Sequence, residues 1–159
     1  MAVFMNGNMW GGSGSFIITT NSFVKKDGNL VMGRGIAKQA CNMFKETSSQ
    51  PNIASHFGKA IKDTSGHLGE YNLILPHPFH HKDLAYSIGA FQVKYHWADK
   101  ADYDLIRRST IVTRWFALTW HWVTINLNFP GIGNGHLDKD KVYDIVRVLP
   151  DNVIIWSLN

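Results

Sequence analysis

The stretch "NLVMGRGIAKQACNMF", residues 29–44, decides the fold, because a short apolar run breaks into Gly33-Arg34-Gly35 and then at once becomes helix-like. Apolar side chains recur after the glycines at spacings of three and four, which is typical of one helix face: Ile36, Ala40, Met43 and Phe44. Glycine lets the backbone turn sharply and approach a ligand, and the N-terminus of the following helix favours an anion. The stretch therefore predicts a strand-to-helix turn that is suited to an anionic ligand.

Segments of strand and helix character alternate on both sides of this turn. Short apolar and β-branched runs predict strands at 15–21, 70–76, 84–93, 122–129 and 152–158, with a His-rich connection at 77–83. Helical spacing predicts helices at 35–45, from Pro51 to Gly66, at 101–120 and from Asp138 to Leu149. The inward stripe expected for the third of these helices is Leu105, Val112, Phe116 and Trp120. This order predicts a layered α/β fold.

Composition limits the class of protein. A chain of 159 residues with 45% hydrophobic and 18% charged residues predicts one globular domain over 1–159. The net charge of +4 suits an anionic ligand such as a nucleotide, and the basic residues are scattered rather than clustered. Cys41 is the single cysteine, the N-terminus does not resemble a secretion signal, and no apolar run approaches the roughly 20 residues that cross a bilayer. We expect a cytoplasmic protein with no membrane partner.

A second glycine turn, "PGIGNGHL" at 130–137, also follows a strand and precedes a helix. Two such turns that face each other can hold a diphosphate. Neither is a known phosphate signature, because the chain lacks the Gly-Lys-Ser/Thr of a P-loop and "GRGIAKQA" does not complete a dinucleotide fingerprint. Taken singly, each turn is better explained by tight packing of a strand against a helix.

Three segments in order resemble the macrodomain family of ADP-ribose-binding modules. They are "TTNSFVKKDGNLVMGRGIAKQ" (19–39), "FQVKYHW" (91–97) and "NFPGIGNGHLDKDKV" (128–142). The resemblance is closest to macrodomains that remove ADP-ribose from DNA and to related ADP-ribosyl hydrolases. It implies a three-layer α/β/α fold with a mixed, mostly parallel sheet, and a crevice for ADP-ribose at the strand ends.

The resemblance also assigns the residues that bind the ligand. Asn8 stands where the family has an aspartate near adenine, and His136 stands where this branch usually has glycine. The two phosphate loops comprise Met32, Gly33, Arg34, Gly35 and Ile36 on one side, and Pro130, Gly131, Ile132, Gly133, Asn134, Gly135 and His136 on the other.

Three residues are candidates for catalysis. Asn21 matches the asparagine that positions the distal ribose, although an asparagine at a strand end also makes local turns. Lys94 matches the lysine of the Lys-x-His-Trp segment and can attack an opened sugar if its pKa is lowered, or it can be a solvated loop lysine. Asp138 also sits where a helix N-cap belongs, and capping is the favoured interpretation. A mechanism in which the substrate's own diphosphate orients water needs no protein base.

The leading hypothesis for function is an ADP-ribosyl hydrolase that needs no cofactor. Its alternatives are a non-catalytic module that binds ADP-ribose or a related nucleotide, and a phosphatase acting on ADP-ribose 1″-phosphate. The expected partner is ADP-ribose or an ADP-ribosylated macromolecule, and nucleic acid is expected only as a modified substrate.

A metal site is an alternative interpretation of three neighbouring histidines, His77, His80 and His81. A surface connection is favoured because no cysteine pair or His-Glu-x-x-His helix supports zinc. The aromatic residues of 114–122 can stack on bases, although helical spacing favours a place in the core.

Overall fold

A computed structural model describes residues 1–65 and 69–158 of the chain. The strands are β1 (Val3–Asn6), β2 (Ser15–Thr20), β3 (Leu73–His81), β4 (Leu84–Gln92), β5 (Ile125–Asn128) and β6 (Val153–Ser157). The α-helices are α1 (Gly35–Met43), α2 (Ile53–Ser65), α3 (Tyr103–Thr119) and α4 (Lys139–Val146). The predicted end of the second helix at Gly66 lies outside the described residues. None of the helices in the described ranges is long and apolar enough to cross a membrane.

The six strands form one sheet in the order β1-β6-β5-β2-β4-β3. Every neighbouring pair is parallel except β3 and β4, which form an antiparallel hairpin at one edge. The prediction of a mixed, mostly parallel sheet is confirmed. Because β5, β2 and β4 are parallel neighbours, their carboxyl ends lie at the same edge of the sheet.

Apolar residues on both faces of the sheet produce two separate cores. In β2, Phe16 and Ile18 point to the core that includes Phe44, which follows α1, and Phe57 of α2. Ile17, between them in sequence, points to the opposite core, which α3 and α4 cover. The two helix pairs therefore enclose the sheet, and the predicted three-layer α/β/α arrangement is confirmed.

The sequence interpretation was wrong at the sheet edges. β1 was not predicted, because a strand of four residues leaves only a weak pattern in the sequence. This edge strand pairs only with β6, which lies at the other end of the chain. The predicted His-rich connection is instead the second half of β3, which continues to His81 with Phe79 fully buried. Prolines at 76 and 78 are tolerated because β3 is an edge strand with an irregular register between Ile74 and His77.

The predicted inward stripe of α3 was right for Leu105, which is fully buried, and for Phe116, which packs partly buried against the core, but it was wrong for the other two residues. Val112 and Trp120 are exposed, and so are Trp115 and Trp122 of the aromatic segment that was assigned to the core. The residues of α3 that are buried are Leu105, Ile106, Ser109, Thr110, Thr113 and Ala117. Polar residues fit against the sheet because their hydroxyls donate to backbone carbonyls: Ser109 to Gln92, Thr110 to Ile106 and Thr113 to Ser109, at 2.7–2.8 Å.

Candidate functional site

A cleft of about 550 Å³ opens at the sheet edge where β5, β2 and β4 end. Each of these strands contributes residues from its carboxyl end or from the loop that follows it, among them Asn21 after β2, Lys94 after β4 and Asn128 of β5. Clefts at this position are the usual ligand sites of open α/β sheets, because loops diverge there while the strands fix their starting points.

The first glycine loop forms one wall of the cleft. All five residues assigned to it line the cleft, from Met32 to Ile36. Gly35 has φ +57°, a backbone conformation that favours glycine. Arg34 occupies the N-cap position of α1 but makes no capping hydrogen bond with its side chain. The first backbone N–H groups of α1 therefore receive no hydrogen bond from an N-cap side chain. This end of the helix borders the cleft.

The second glycine loop forms the opposite wall through Gly131, Ile132, Asn134 and Gly135. Its backbone packs closely on α3, because a Cβ atom at Gly131 would lie 2.8 Å from side-chain atoms of Ile106 and Leu137. Of the residues assigned to this loop, three lie outside the cleft lining: Pro130, Gly133 and His136. His136 instead ends the short 3₁₀ turn at 133–135 with φ +59°, the left-handed conformation that glycine adopts most easily.

Asn21 lines the cleft, and both ends of its side-chain amide are engaged by backbone. Its Oδ1 accepts a hydrogen bond from the Phe23 N–H at 2.8 Å, which makes a local turn. Its Nδ2 donates to the Val31 carbonyl at 2.9 Å. Asn21 therefore ties the loop after β2 to the segment that leads into the first glycine loop, and each end of its amide retains one unused hydrogen-bonding position.

Lys94 follows β4 and reaches the cleft with its amine partly buried. The Nζ atom donates to the backbone carbonyls of Trp97 and Asp99, both at 3.1 Å. Burial lowers the pKa of this amine, the positive charge of Arg34 lowers it further, and the Asp99 carboxylate acts in the opposite direction. The environment favours the neutral, nucleophilic form of Lys94 more than water does.

The structure places Asp138 and Asn8 outside the set of residues that line the cleft. The Asp138 carboxylate caps α4 by accepting from the N–H groups of Asp140 and Lys141, as the favoured interpretation expected. Asn8 Oδ1 accepts from the Trp10 N–H at 3.0 Å and caps the 3₁₀ turn at Met9–Gly11.

Several lining residues were not assigned from sequence. They include Thr19, Phe23, Lys25, Trp97 and Asn128. Asn128 was detectable in principle, because it ends β5 as Asn21 follows β2; its Oδ1 accepts from the Thr19 N–H and its Nδ2 donates to Thr19 Oγ1. Phe23, Lys25 and Trp97 lie on the loops after β2 and β4, for which the sequence offers no periodic signal.

The charge of the cleft is uniformly positive. Lys25, Arg34 and Lys94 line it, and the described lining residues include no aspartate or glutamate. Three cations with no carboxylate favour an anionic ligand. The same composition leaves the cleft without a carboxylate base of its own.

No metal centre is formed by the described part of the chain, in which no three His, Cys, Asp or Glu side chains are placed to hold an ion. His77 of the histidine cluster instead stacks on His56 of α2, with ring centroids 4.1 Å apart. His81 Nδ1 lies 2.9 Å from the Met43 carbonyl, and the His80 N–H donates to Gln50 Oε1. These contacts attach β3 to α1, to α2 and to the loop between them.

Comparison with known proteins identifies the fold. No protein-family model and no curated protein sequence matches the chain. Among solved structures, the macrodomain of Mycobacterium tuberculosis DarG is 20% identical with a TM-score of 0.72, covering 100% of this chain and 99% of its own. The macrodomain of Thermus aquaticus DarG is 21% identical with a TM-score of 0.69, covering 100% and 98%. Thermosipho africanus DarTG in complex with ADP-ribose is 18% identical with a TM-score of 0.69, covering 94% of this chain and 39% of that one.

The chain has the macrodomain fold, as the sequence resemblance predicted.

Proposed function

We propose that this macrodomain binds ADP-ribose in the cleft between its two glycine loops and hydrolyses ADP-ribosyl linkages on nucleic acid or protein. The observation that carries the proposal is the cleft itself, in which two glycine loops and three cations face each other with no carboxylate among the described lining residues. A diphosphate between the loops would accept hydrogen bonds from backbone N–H groups and would be neutralised by Lys25 and Arg34. The cleft volume of about 550 Å³ lies within the range for nucleotide-sized ligands. A solved protein that contains this fold in 39% of its chain is in complex with ADP-ribose.

Cleavage of an ADP-ribosyl bond develops positive charge at the anomeric carbon of the distal ribose. Most glycosidases stabilise this charge with a carboxylate, which the described lining of this cleft does not offer. We therefore assign the chemistry to Lys94, with Asn21 positioning the ribose through its remaining hydrogen-bonding positions. The alternative, in which the bound diphosphate orients the attacking water, uses only Asn21 and the two loops.

In the Lys94 route, which applies to an N-linked ribose, the bond between the anomeric carbon and the ring oxygen breaks first and the ring oxygen takes up a proton. The neutral amine then attacks the carbon of the resulting C=N bond. The electron pair of the bond to the modified group leaves with that group, which takes up a proton, and an imine to Lys94 results. Water then adds to the imine carbon, and the amine departs to release ADP-ribose. The lowered pKa of Lys94 supports this route because only the unprotonated amine has an electron pair to donate.

A non-catalytic binding module is the second candidate. It is favoured by the hydrogen bonds that the Asn21 amide and the Lys94 amine already make within the protein. Such contacts can stabilise the loops without any reaction. The two candidates share the ligand and differ only in turnover.

Binding is tested by calorimetric titration with ADP-ribose, using AMP and ribose 5-phosphate as controls. Gly33→Glu should abolish binding, because a Cβ atom there meets no protein atom within 4 Å and the carboxylate would place a negative charge in the phosphate loop. Asn42→Glu adds the same charge to an exposed position of α1 outside the cleft and should bind normally. If wild-type protein does not bind ADP-ribose, the proposal is wrong.

Turnover is tested with ADP-ribosylated oligonucleotide and ADP-ribosylated protein, measured as free ADP-ribose released. Lys94→Ala should retain binding and lose release. Binding without release by wild-type protein from either substrate would favour the non-catalytic module.

A further inference from the structure

The turn at residues 96–99 is built around His96. The Asp99 N–H donates to the His96 carbonyl at 3.1 Å, and the Ala98 N–H donates to His96 Nδ1 at 3.0 Å. A backbone N–H can only donate, so Nδ1 carries a lone pair and the proton of the neutral imidazole is on Nε2. His96 therefore closes the turn with both its backbone and its side chain.

The same turn supplies the two carbonyl groups that hold the Lys94 amine. Trp97 and Asp99 accept from Nζ, and both flank Ala98, whose N–H is bonded to the His96 ring. With two hydrogen bonds donated and one bond to Cε, the tetrahedral nitrogen has one position left, which carries the electron pair when the amine is neutral. Displacement of the turn would therefore release the amine from a fixed orientation.

The His96 ring also anchors the turn laterally. It packs edge-to-face on Phe23, with centroids 4.8 Å apart, and stacks on Trp97 at 5.1 Å. Phe23 is itself fixed by the hydrogen bond from its N–H to Asn21 Oδ1. The ring thus connects the two candidate groups for the reaction, Asn21 and Lys94, through packing and hydrogen bonds.

We infer that His96 is a positioning residue for Lys94, acting through the hydrogen bond from Ala98 to its Nδ1 that fixes the turn holding the amine. The inference rests on the proposed function in so far as Lys94 takes part in hydrolysis. The acceptor is the essential feature, and the aromatic contacts of the ring are secondary to it.

Two variants separate the acceptor from the ring. His96→Phe keeps an aromatic ring beside Phe23 and Trp97 but cannot accept from Ala98. His96→Asn loses the ring and keeps an acceptor, because an asparagine oxygen bonds the N–H two residues on in the same kind of turn. We expect kcat for ADP-ribosyl release to fall roughly 10- to 100-fold in His96→Phe with little change in KM, and to stay near wild type in His96→Asn. Thermal unfolding verifies that both variants fold.

A second measurement does not depend on catalysis. Acetylation of Lys94 by a water-soluble succinimidyl ester, followed by mass spectrometry, reports how freely the amine is presented. We expect labelling to be several-fold faster in His96→Phe than in wild type and unchanged in His96→Asn. Equal labelling and equal kcat in all three proteins would overturn the inference, as would His96→Asn behaving like His96→Phe. Absence of turnover in wild type would instead count against the proposed hydrolase, and the labelling result would still decide the role of His96.

Discussion

Asn134 of the second glycine loop faces Gly35 of the first, so closely that a Cβ atom at Gly35 would lie 3.3 Å from Asn134 Nδ2. Gly35 also has φ +57°. Space and backbone conformation therefore both favour glycine at the point where the two walls of the cleft approach each other.

Gly35→Ala should weaken both the fold and the ligand site. A non-glycine residue in the left-handed region costs about 1–2 kcal/mol, and the added methyl group presses on Asn134. We expect the free energy of unfolding in urea to fall by about that amount and the affinity for ADP-ribose to fall with it. Gly33→Ala is the matched control, since its Cβ would meet no protein atom within 4 Å. Equal loss in both variants would contradict this explanation.

The glycine loops were predictable from sequence because a glycine cluster stands before each helical segment, although only the second loop comes soon after a strand; the strand expected just before Gly33 from the predicted strand-to-helix turn is not formed, and β2 ends at Thr20. The other lining residues were less accessible. Phe23 and Trp97 reach the cleft only because the loops after β2 and β4 meet there, where the Ser22 N–H donates to the Tyr95 carbonyl. Contacts between loops 70 residues apart leave no periodic trace in a single sequence.

The fold was predictable where apolar runs are long or strictly spaced, as in β2 and α2. It was not predictable for the buried face of α3, where Ser109 and Thr113 satisfy their hydroxyls on backbone carbonyls and so pack like small apolar residues. An interpretation based on hydrophobicity places such polar residues on the surface and places Trp115 in the core, although Trp115 is exposed. Hydrogen bonding to the backbone lets these polar residues share the inner face of α3 with Leu105, Ile106 and Ala117.

His136→Gly should stabilise the protein, because His136 holds φ +59° with an exposed side chain. Glycine removes the penalty for a left-handed conformation but loses more entropy on folding, so we expect a gain of up to about 1 kcal/mol in urea unfolding. His136→Val is the opposing variant and should destabilise, since β-branched residues fit this conformation worst. A gain from valine would show that the backbone at 136 is not under strain.

The pH dependence of hydrolysis should follow Lys94. Because burial and Arg34 lower its pKa, kcat/KM should rise with pH through a value below that of an ordinary lysine and then level off. Arg34→Gln removes a positive charge, raises the pKa of Lys94 and moves the rising limb to higher pH. Lys25→Gln also removes a lining cation. It should lower kcat/KM without shifting the pH at which kcat/KM rises. A limb that stays in place in Arg34→Gln would exclude Lys94 as the titrating group.

Trp115 lies on the outer face of α3 with 70% of its surface exposed. Trp115→Ser should therefore change the free energy of unfolding by no more than about 0.5 kcal/mol. Phe57→Ala is the contrast, because Phe57 is fully buried in the core beneath α2 and its truncation should cost about 3–5 kcal/mol. Urea unfolding of both variants distinguishes surface from core, and a large loss from Trp115→Ser would restore the sequence assignment of this residue to the core.

Acid should destabilise the protein through His56, whose ring stacks on His77 at 4.1 Å and meets the Phe79 ring edge-on. Burial first, and then the charge of His77, lower the pKa of His56 below its usual 6.5. Between the lowered native value and the unfolded value, the unfolded chain binds the proton more readily, so falling pH favours unfolding. The stability contribution is complete above the pKa of the unfolded chain and is lost as pH falls through the pKa of the native protein.

We expect His56→Gln to lose less unfolding free energy than wild type between pH 7.5 and pH 5 in urea titrations. His121→Gln changes an exposed histidine after α3 and should lose as much as wild type. An identical loss in His56→Gln and wild type would show that this histidine pair does not set the acid sensitivity.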